Sequence, residues 1–123
     1  MIKLVYVSGT RADFGLIEDT LLALNADSDI DLTVLATGQH MDAKFGDTWK
    51  DIAASGLSLL CLPQQPLLGS GGQEMAQSVA RQIAEITTAL TEIKPDLLLV
   101  LGDRGEMLAG AIAALYMGIP CAH

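Results

Sequence analysis

Short apolar runs alternate along this chain with segments of helical periodicity, and this alternation constrains the fold more than any other feature. The run Leu97–Leu101 holds five apolar residues in succession before Gly102 ends it. Runs of similar character cover residues 2–8, 30–37, 57–62 and 119–122. Because these runs are largely apolar without strict alternation, they predict strands that are buried on both faces of a sheet.

Four helices are predicted between the strands. The clearest one places its apolar residues on one side, and Lys94-Pro95 ends it. The last one is almost entirely apolar and ends at Gly118. Asp13 is the predicted cap of the first. The four predicted helices cover residues 13–25, 48–55, 73–93 and 105–117. Repeated strand–helix order predicts an α/β protein with a doubly wound, Rossmann-like parallel sheet.

Charge and composition exclude several classes of function. The chain has 123 residues, enough for one domain, and a formal net charge of −8. An acidic chain without a basic stretch is not suited to nucleic acid or to an anionic membrane surface. No apolar run approaches the ~20 residues of a membrane span, and the N-terminus lacks a signal-peptide pattern. Cys61 and Cys121 are predicted to be buried free thiols, and a reducing, cytoplasmic setting follows.

Residues 63–72, PQQPLLGSGG, form the most loop-like stretch of the chain. Prolines, glycines and the absence of charge predict a flexible lid beside a site. The tract GSGG lacks the lysine of a phosphate-binding P-loop, so it does not by itself predict a nucleotide cradle. The two cysteines and two histidines are scattered, without the spacing of a metal site. No cofactor or metal is therefore predicted.

Charged residues follow the predicted strands at the point where each strand ends. Asp103 and Arg104 come directly after the fourth strand. In open parallel sheets, ligands bind beyond the carboxyl ends of the strands, so this pair is a candidate for ligand binding. A local alternative is that Asp103 caps the helix of residues 105–117 and that Arg104 is a solvated neighbour.

The first and second strands end in similar fashion. SGTRADFG (residues 8–15) places Thr10 and Arg11 where a helix begins, and a helix N-terminus beside an arginine favours a phosphate. TGQHMD (residues 37–42) brings His40 to the same edge. Both G-x-G-x-x-G and the Walker pattern are absent. The residues alone therefore predict a crevice for a phosphorylated small molecule.

Several segments together resemble a known family. They are GTRADFG (9–15), TGQHMD (37–42), FGDTW (45–49) and KPDLLLVLGDRGEMLAGAIAALYMGIPCAH (94–123). In order and spacing they are similar to the N-terminal domain of hydrolysing UDP-N-acetylglucosamine 2-epimerases of sialic and nonulosonic acid biosynthesis. The resemblance implies one half of a glycosyltransferase-B-type fold that binds a UDP-sugar. It also implies conversion of UDP-N-acetylglucosamine to N-acetylmannosamine and UDP by elimination and hydration.

The resemblance also implies roles for individual residues. Asp103 matches the acid of the family's GDR motif and would be a catalytic carboxylate. Arg11 and Arg104 match arginines that face the nucleotide sugar, and His40 matches a histidine that contacts substrate. Gly15 falls where relatives contact the nucleotide and offers only its backbone. Thr10 and Asp13, which share a segment with Arg11, are further expected substrate contacts.

Length is where the chain departs from the family pattern. After the segment that ends here at His123, relatives continue with two glycines and a catalytic glutamate, followed by a second nucleotide-binding domain. We therefore expect residues 1–123 to be an N-terminal Rossmann-like domain, truncated in or after strand five, that is inactive alone. Apolar surface left uncovered by the second domain predicts self-association as a homo-oligomer.

Two other functions remain open from the residues. The chain would also suit half of another glycosyltransferase-B-type enzyme that acts on a different nucleotide sugar. A non-catalytic, flavodoxin-like binding module is the third possibility. The choice between UDP and GDP is open as well.

Overall fold

Five parallel strands form one sheet in the order β3-β2-β1-β4-β5. The computed structural model describes residues 1–63 and 71–123. Each strand ends at the same edge of the sheet, because all neighbours run in one direction. The predicted doubly wound α/β class is confirmed. The strands are β1 (Ile2–Ser8), β2 (Ile30–Ala36), β3 (Leu59–Cys61), β4 (Leu97–Leu99) and β5 (Cys121–Ala122).

Helices cover both faces of the sheet and explain the apolar runs. Along β1, Val5 and Val7 face one layer, whereas Leu4 and Tyr6 face the other. The first layer contains the third and fourth helices, and the second layer contains the first two. A strand with a helix on each side must be apolar on each side. The helices are α1 (Arg11–Ala26), α2 (Trp49–Ala54), α3 (Gly72–Ile93) and α4 (Gly105–Met117).

The structure corrects some predicted boundaries. α1 is capped by Thr10 and not by Asp13; the Thr10 side chain accepts a hydrogen bond from the Asp13 backbone N–H. Asp13 is the third helical residue and returns a bond to the backbone of Thr10, which completes a capping box. Two 3₁₀ turns, Gly38–Met41 and Ala43–Phe45, occupy a segment for which no element was predicted.

The structure also corrects the prediction for the cysteines and leaves most of the predicted lid undescribed. The cysteines are free, but Cys61 is half-buried and Cys121 is exposed, so the prediction of two buried thiols is wrong. Both lie on the two short edge strands, which have only one neighbouring strand. Of the predicted lid, residues 64–70 lie outside the described residues. Within the described ranges no helix combines the length and hydropathy needed to span a bilayer.

The strand order reverses between β1 and β4, and this reversal positions the candidate site. From β1 the chain proceeds outward through β2 to β3, then returns through α3 to place β4 on the other side of β1. The loops after β1 and β4 therefore diverge to opposite faces and leave a crevice between them. Such a switch point is where open α/β sheets bind ligands.

Candidate functional site

A cavity of about 380 Å³ opens at this switch point. Its wall is built from the end of β1, the start of α1, the first 3₁₀ turn and the residue that precedes α4. The lining residues are Thr10, Arg11, Ala12, Gln39, Phe45, Thr48 and Arg104. Two arginines separated by most of the chain thus line the same cavity, as the convergence of strand ends predicted. We call it the diphosphate cavity, for the charge of its two arginines.

Arg11 is held loosely. Its Nε lies 3.5 Å from Asp51 Oδ2, and both side chains are largely exposed, at 76% and 51%. An exposed pair of this kind contributes little to stability. Arg11 is also the first residue of α1, so its cation adds to the positive end of that helix. The Arg11 guanidinium can therefore leave Asp51 and bind an anion in the cavity at little cost in free energy.

Arg104 is held more firmly, by a carboxylate that is almost completely buried. Its Nε and Nη2 lie 3.2 Å and 3.4 Å from the two carboxylate oxygens of Glu106. The side chain of Glu106 is only 5% exposed, whereas that of Arg104 is 46% exposed. One edge of the guanidinium is thus fixed by the protein, and the remaining N–H groups are free to face a ligand.

Glycines make room for Glu106 at the ends of two strands. A Cβ added to Gly9 would lie 2.7 Å from the Glu106 carboxyl carbon, and one added to Gly38 would collide with its Oε1. Gly38 also has a φ of +61°, which disfavours other residues. Both positions therefore require glycine so that the carboxylate can approach the backbone. Glu106 was not singled out from the sequence, although the quoted segment of residues 94–123 contains it.

Asp103 occupies an exposed position just beyond β4. The preceding Gly102 has a φ of +97°, and its carbonyl accepts a hydrogen bond from His123 Nε2 at 2.8 Å. The end of the last strand therefore holds the loop that presents Asp103. The local alternative, that Asp103 caps α4, is wrong: the N-cap is Arg104, without a side-chain capping bond.

Asp13 lies beneath the cavity, and both of its carboxylate oxygens accept hydrogen bonds from within the protein. Its Oδ1 accepts hydrogen bonds from the hydroxyls of Tyr6 at 2.9 Å and Ser8 at 2.7 Å. Its Oδ2 accepts from the backbone N–H groups of Gly9 at 3.0 Å and Thr10 at 2.8 Å. The residue is buried, so the structure places Asp13 behind the cavity wall and not in its lining. Burial and the adjacent Asp13 charge raise the pKa of the Tyr6 phenol.

His40 is placed in the same way, inside the protein. Its ring is 0% exposed; Nε2 lies 2.7 Å from Ser8 Oγ and Nδ1 lies 2.9 Å from Thr48 Oγ1. Because the Ser8 hydroxyl donates its proton to Asp13, His40 Nε2 is the donor to Ser8 and Nδ1 accepts from Thr48. Burial lowers the pKa of His40, although the negative charge of Asp13 partly opposes this. The imidazole therefore faces inward in this structure, and its expected contact with substrate stays a prediction.

Of the two remaining expected contacts, Thr10 and Gly15, only Thr10 lines the cavity. Thr10 lines the diphosphate cavity, even though the residue is buried. Gly15 is exposed on α1, and a Cβ placed there would have nothing within 4 Å. It is not part of the cavity lining. In residues 1–63 and 71–123, no three His, Cys, Asp or Glu side chains group in a way that could hold a metal ion.

A second cavity of about 520 Å³ adjoins the first. Gln39, Phe45 and Arg104 line both, so they form the partition between them. The far wall is the N-terminal half of α3, and Pro63 contributes from beyond β3. Its other lining residues are Thr37, Gly38, Asp42, Lys44, Met75, Ser78, Val79, Gln82, Gly105 and Glu106. We call it the α3 cavity.

Comparison with known proteins identifies a family. The profile of the UDP-N-acetylglucosamine 2-epimerase family matches residues 22–123. A protein of Legionella pneumophila described as UDP-N,N'-diacetylbacillosamine 2-epimerase (hydrolyzing) is 40% identical over 121 residues, which are 98% of this chain and 32% of that protein. A UDP-N-acetylglucosamine 2-epimerase of Neisseria meningitidis is 31% identical over 98% of this chain and 32% of its own. The chain thus spans about a third of the length of these curated relatives.

Solved structures agree with this assignment. The crystal structure of UDP-GlcNAc 2-epimerase from Neisseria meningitidis bound to UDP-GlcNAc superposes with a TM-score of 0.79 at 25% identity, covering 99% of this chain and 32% of that one. The Methanocaldococcus jannaschii UDP-GlcNAc 2-epimerase in complex with UDP-GlcNAc and UDP gives 0.75 at 27% identity, over 99% of this chain and 32% of that one.

Proposed function

Because this chain belongs to the UDP-N-acetylglucosamine 2-epimerase family, we propose that it forms the N-terminal half of a hydrolysing 2-epimerase active site. The proposed reaction converts UDP-N-acetylglucosamine to N-acetylmannosamine and UDP. One observation carries the proposal: Arg11 and Arg104 line a single cavity at the switch point of the sheet. Two guanidinium groups facing one space are suited to the diphosphate of a nucleotide sugar.

The proposed chemistry needs proton transfer and charge stabilisation. A base removes the proton from sugar C2, and the C1–O bond breaks with its electron pair leaving on UDP. Water then adds to the resulting glycal, with the hydroxyl at C1 and a proton at C2 on the opposite face. The two arginines would offset the charge that develops on the departing diphosphate. Asp103 is the proposed carboxylate for a proton-transfer step, since it is exposed beside Arg104 on the same loop.

The buried residues are proposed to act indirectly. Asp13 and His40 hold Ser8 and the backbone of residues 9–10, from which Arg11 projects into the diphosphate cavity. Glu106 holds Arg104 from the other side. In this proposal Thr10, Arg11 and Arg104 contact the ligand, while His40, Asp13 and Glu106 fix where those contacts lie. Gly15 remains a proposed backbone contact near the nucleotide.

A second substrate is supported by a specific observation. The Legionella relative, described as acting on UDP-N,N'-diacetylbacillosamine, is more similar to this chain than the Neisseria UDP-N-acetylglucosamine 2-epimerase, at 40% against 31% identity. That sugar carries two acetamido groups. The proposed hydrolysing reaction and the proposed role of the arginines are the same for both candidates, so the choice between them concerns the sugar and not the reaction.

Release of UDP tests the proposal. An enzyme of full family length that begins with these 123 residues should release UDP from at least one of the two nucleotide sugars, measured with a coupled UDP assay. The 123-residue chain alone should release none, because the relatives are about three times as long. No release by the full-length enzyme from either substrate would contradict the proposed function and would favour a different nucleotide sugar or a binding module.

Exposed apolar side chains support the proposal of a homo-oligomer. Leu115 and Tyr116, near the end of α4, are 75% and 86% exposed. Adjacent exposed side chains of this size on one helix are typical of a contact surface. Sedimentation equilibrium of the purified protein would distinguish a dimer from a monomer.

A further inference from the structure

The α3 cavity holds a buried polar group without a partner. Gln82, on α3, is only 8% exposed, and its Oε1 has no hydrogen-bond partner among the described residues. A buried amide oxygen that lacks a donor costs free energy, and such groups are uncommon in folded proteins. Gln82 also lines the cavity, close to Gly105 at the start of α4. A ligand in the cavity that carries a hydrogen-bond donor would therefore satisfy this oxygen.

The rest of the wall indicates which kind of donor fits. Met75, Val79 and Pro63 supply apolar surface, so a small methyl group would be received well on that side. The terminal torsion of glutamine is broad, so the amide can present its oxygen to the cavity without movement of α3. A group that combines an N–H donor with a methyl is an acylamino group. A plain hydroxyl would leave the apolar part of the wall unfilled.

The two cavities are adjacent, so a single ligand can extend from one into the other. Arg104 lines both cavities, and Gln39 and Phe45 lie beside it. A ligand with its diphosphate against Arg11 and Arg104 can therefore place its sugar in the neighbouring space without crossing a second wall. In a nucleotide sugar, an acylamino substituent lies one sugar carbon away from the atom that bears the diphosphate.

We infer that the α3 cavity receives the acylamino group of the sugar, with Gln82 Oε1 as the acceptor of its N–H. This inference rests on the proposed function and extends it, because it assigns substrate selectivity to α3. Gln82 is a specificity-determining residue in this view. It separates acylamino sugars from sugars that carry a hydroxyl at the same carbon, since only the former both donate to the unpaired oxygen and place a methyl group on the apolar wall.

The experiment compares three ligands on the 123-residue chain. UDP, UDP-N-acetylglucosamine and UDP-glucose are titrated, and binding is followed by backbone amide chemical shifts, which also report weak affinities. The acetamido sugar should bind about tenfold more tightly than UDP-glucose, the difference expected when its methyl group is buried against the apolar wall. Shifts near Ser78 and Val79 should appear with UDP-N-acetylglucosamine and be absent with UDP.

The variant Gln82→Met removes the amide and preserves the length and packing of the side chain. We expect its affinity for UDP-N-acetylglucosamine to fall about tenfold, the loss of one good hydrogen bond, while its affinity for UDP stays that of the wild type. Its thermal stability should be equal or higher, since an unpaired buried acceptor is removed. Gln77→Met, on the exposed side of the same helix, is the matched control and should bind UDP-N-acetylglucosamine as the wild type does.

The outcomes separate the two proposals. If UDP shifts the residues around Arg11 and Arg104 but both sugars bind equally well, the role of Gln82 is refuted and the proposed function survives. If Gln82→Met binds UDP-N-acetylglucosamine as tightly as the wild type does, the role of Gln82 is likewise refuted. If none of the three ligands shifts any residue of either cavity, both proposals fail together.

Discussion

Arg104 and Glu106 form a two-point ion pair in which the acid is buried and the base is half-exposed. The carboxylate lies in the first turn of α4 and against the backbone of Gly9 and Gly38. One side chain therefore ties together the ends of β1 and β2 and the start of α4. The positions of both cavities depend on this contact, because Arg104 lines each of them.

Replacement of Glu106 by glutamine should weaken anion binding without a large loss of structure. Glutamine has the same shape, but it removes the charge and turns an N–H toward the guanidinium of Arg104. We expect UDP affinity to fall by roughly tenfold, the order expected for a charged hydrogen bond. Titration of the 123-residue chain measures this. Glu92→Gln, an exposed change in the last turn of α3, is the control; equal affinity in E106Q and E92Q would contradict the positioning role.

Removal of the Arg11 charge should affect ligand binding far more than stability. Its pairing with Asp51 is exposed and 3.5 Å long, so Arg11→Gln should change the free energy of unfolding by less than about 1 kcal/mol. UDP affinity should fall about 10- to 100-fold, since a phosphate loses a charged donor. Lys3→Gln removes the same charge at the opposite end of β1 and serves as control. Similar UDP affinities for the two variants would count against the diphosphate cavity.

Asp103 should be essential for turnover and dispensable for folding. In an enzyme of full family length that begins with these residues, Asp103→Asn should lower kcat by about 10²- to 10⁴-fold, the usual contribution of a positioned acid or base. Because Asp103 is exposed, thermal unfolding should be unchanged within experimental error. UDP release and calorimetry make the two measurements. A variant with unaltered kcat would exclude Asp103 as a catalytic residue.

Two glycine substitutions should change stability in opposite directions. A Cβ at Gly9 would lie 2.7 Å and 2.8 Å from Glu106 Cδ and Cγ, so Gly9→Ala should destabilise the protein by about 1–3 kcal/mol. A Cβ at Gly15 meets nothing within 4 Å, and the residue lies within α1. Gly15→Ala should therefore stabilise by roughly 0.5–1 kcal/mol through the helical preference of alanine. Urea unfolding of both variants checks the difference; destabilisation by both would show that the space around Gly15 is not free.

Burial of neutral His40 should make stability depend on pH near neutrality. Burial lowers the pKa of His40 in the folded state below its ordinary 6.5. As the pH falls through 6.5, the unfolded chain binds a proton and the folded chain does not, so stability is lost on acidification. Above that value both states are neutral and the effect vanishes. The free energy of unfolding at pH 7.5 and pH 5.5 should differ more in the wild type than in His40→Gln; an equal difference would contradict this account.

Much of the fold was predictable because it depends on local patterns. The apolar runs and the helical periodicity predicted the five strands and four α-helices found in residues 1–63 and 71–123, with boundaries that differ from the structure by a few residues. Strand lengths were overestimated: the run of residues 57–62 forms a strand only over Leu59–Cys61, and Leu97–Leu101 only over Leu97–Leu99. Hydrophobicity continues into the residues that flank a paired strand, so an apolar run indicates a strand without marking where its pairing ends.

The sequence by itself determined the order of the elements and the placement of Arg11, Asp103 and Arg104 at strand ends, because both follow from patterns within short segments. Tertiary structure decided which of the polar residues face the cavity. His40 and Asp13 turn inward because Ser8, at the end of β1, lies between them, and Glu106 is buried because two glycines from separate strands leave space for its carboxylate. These contacts join segments that are distant along the chain, and their distances depend on how the strands pair and not on any local pattern.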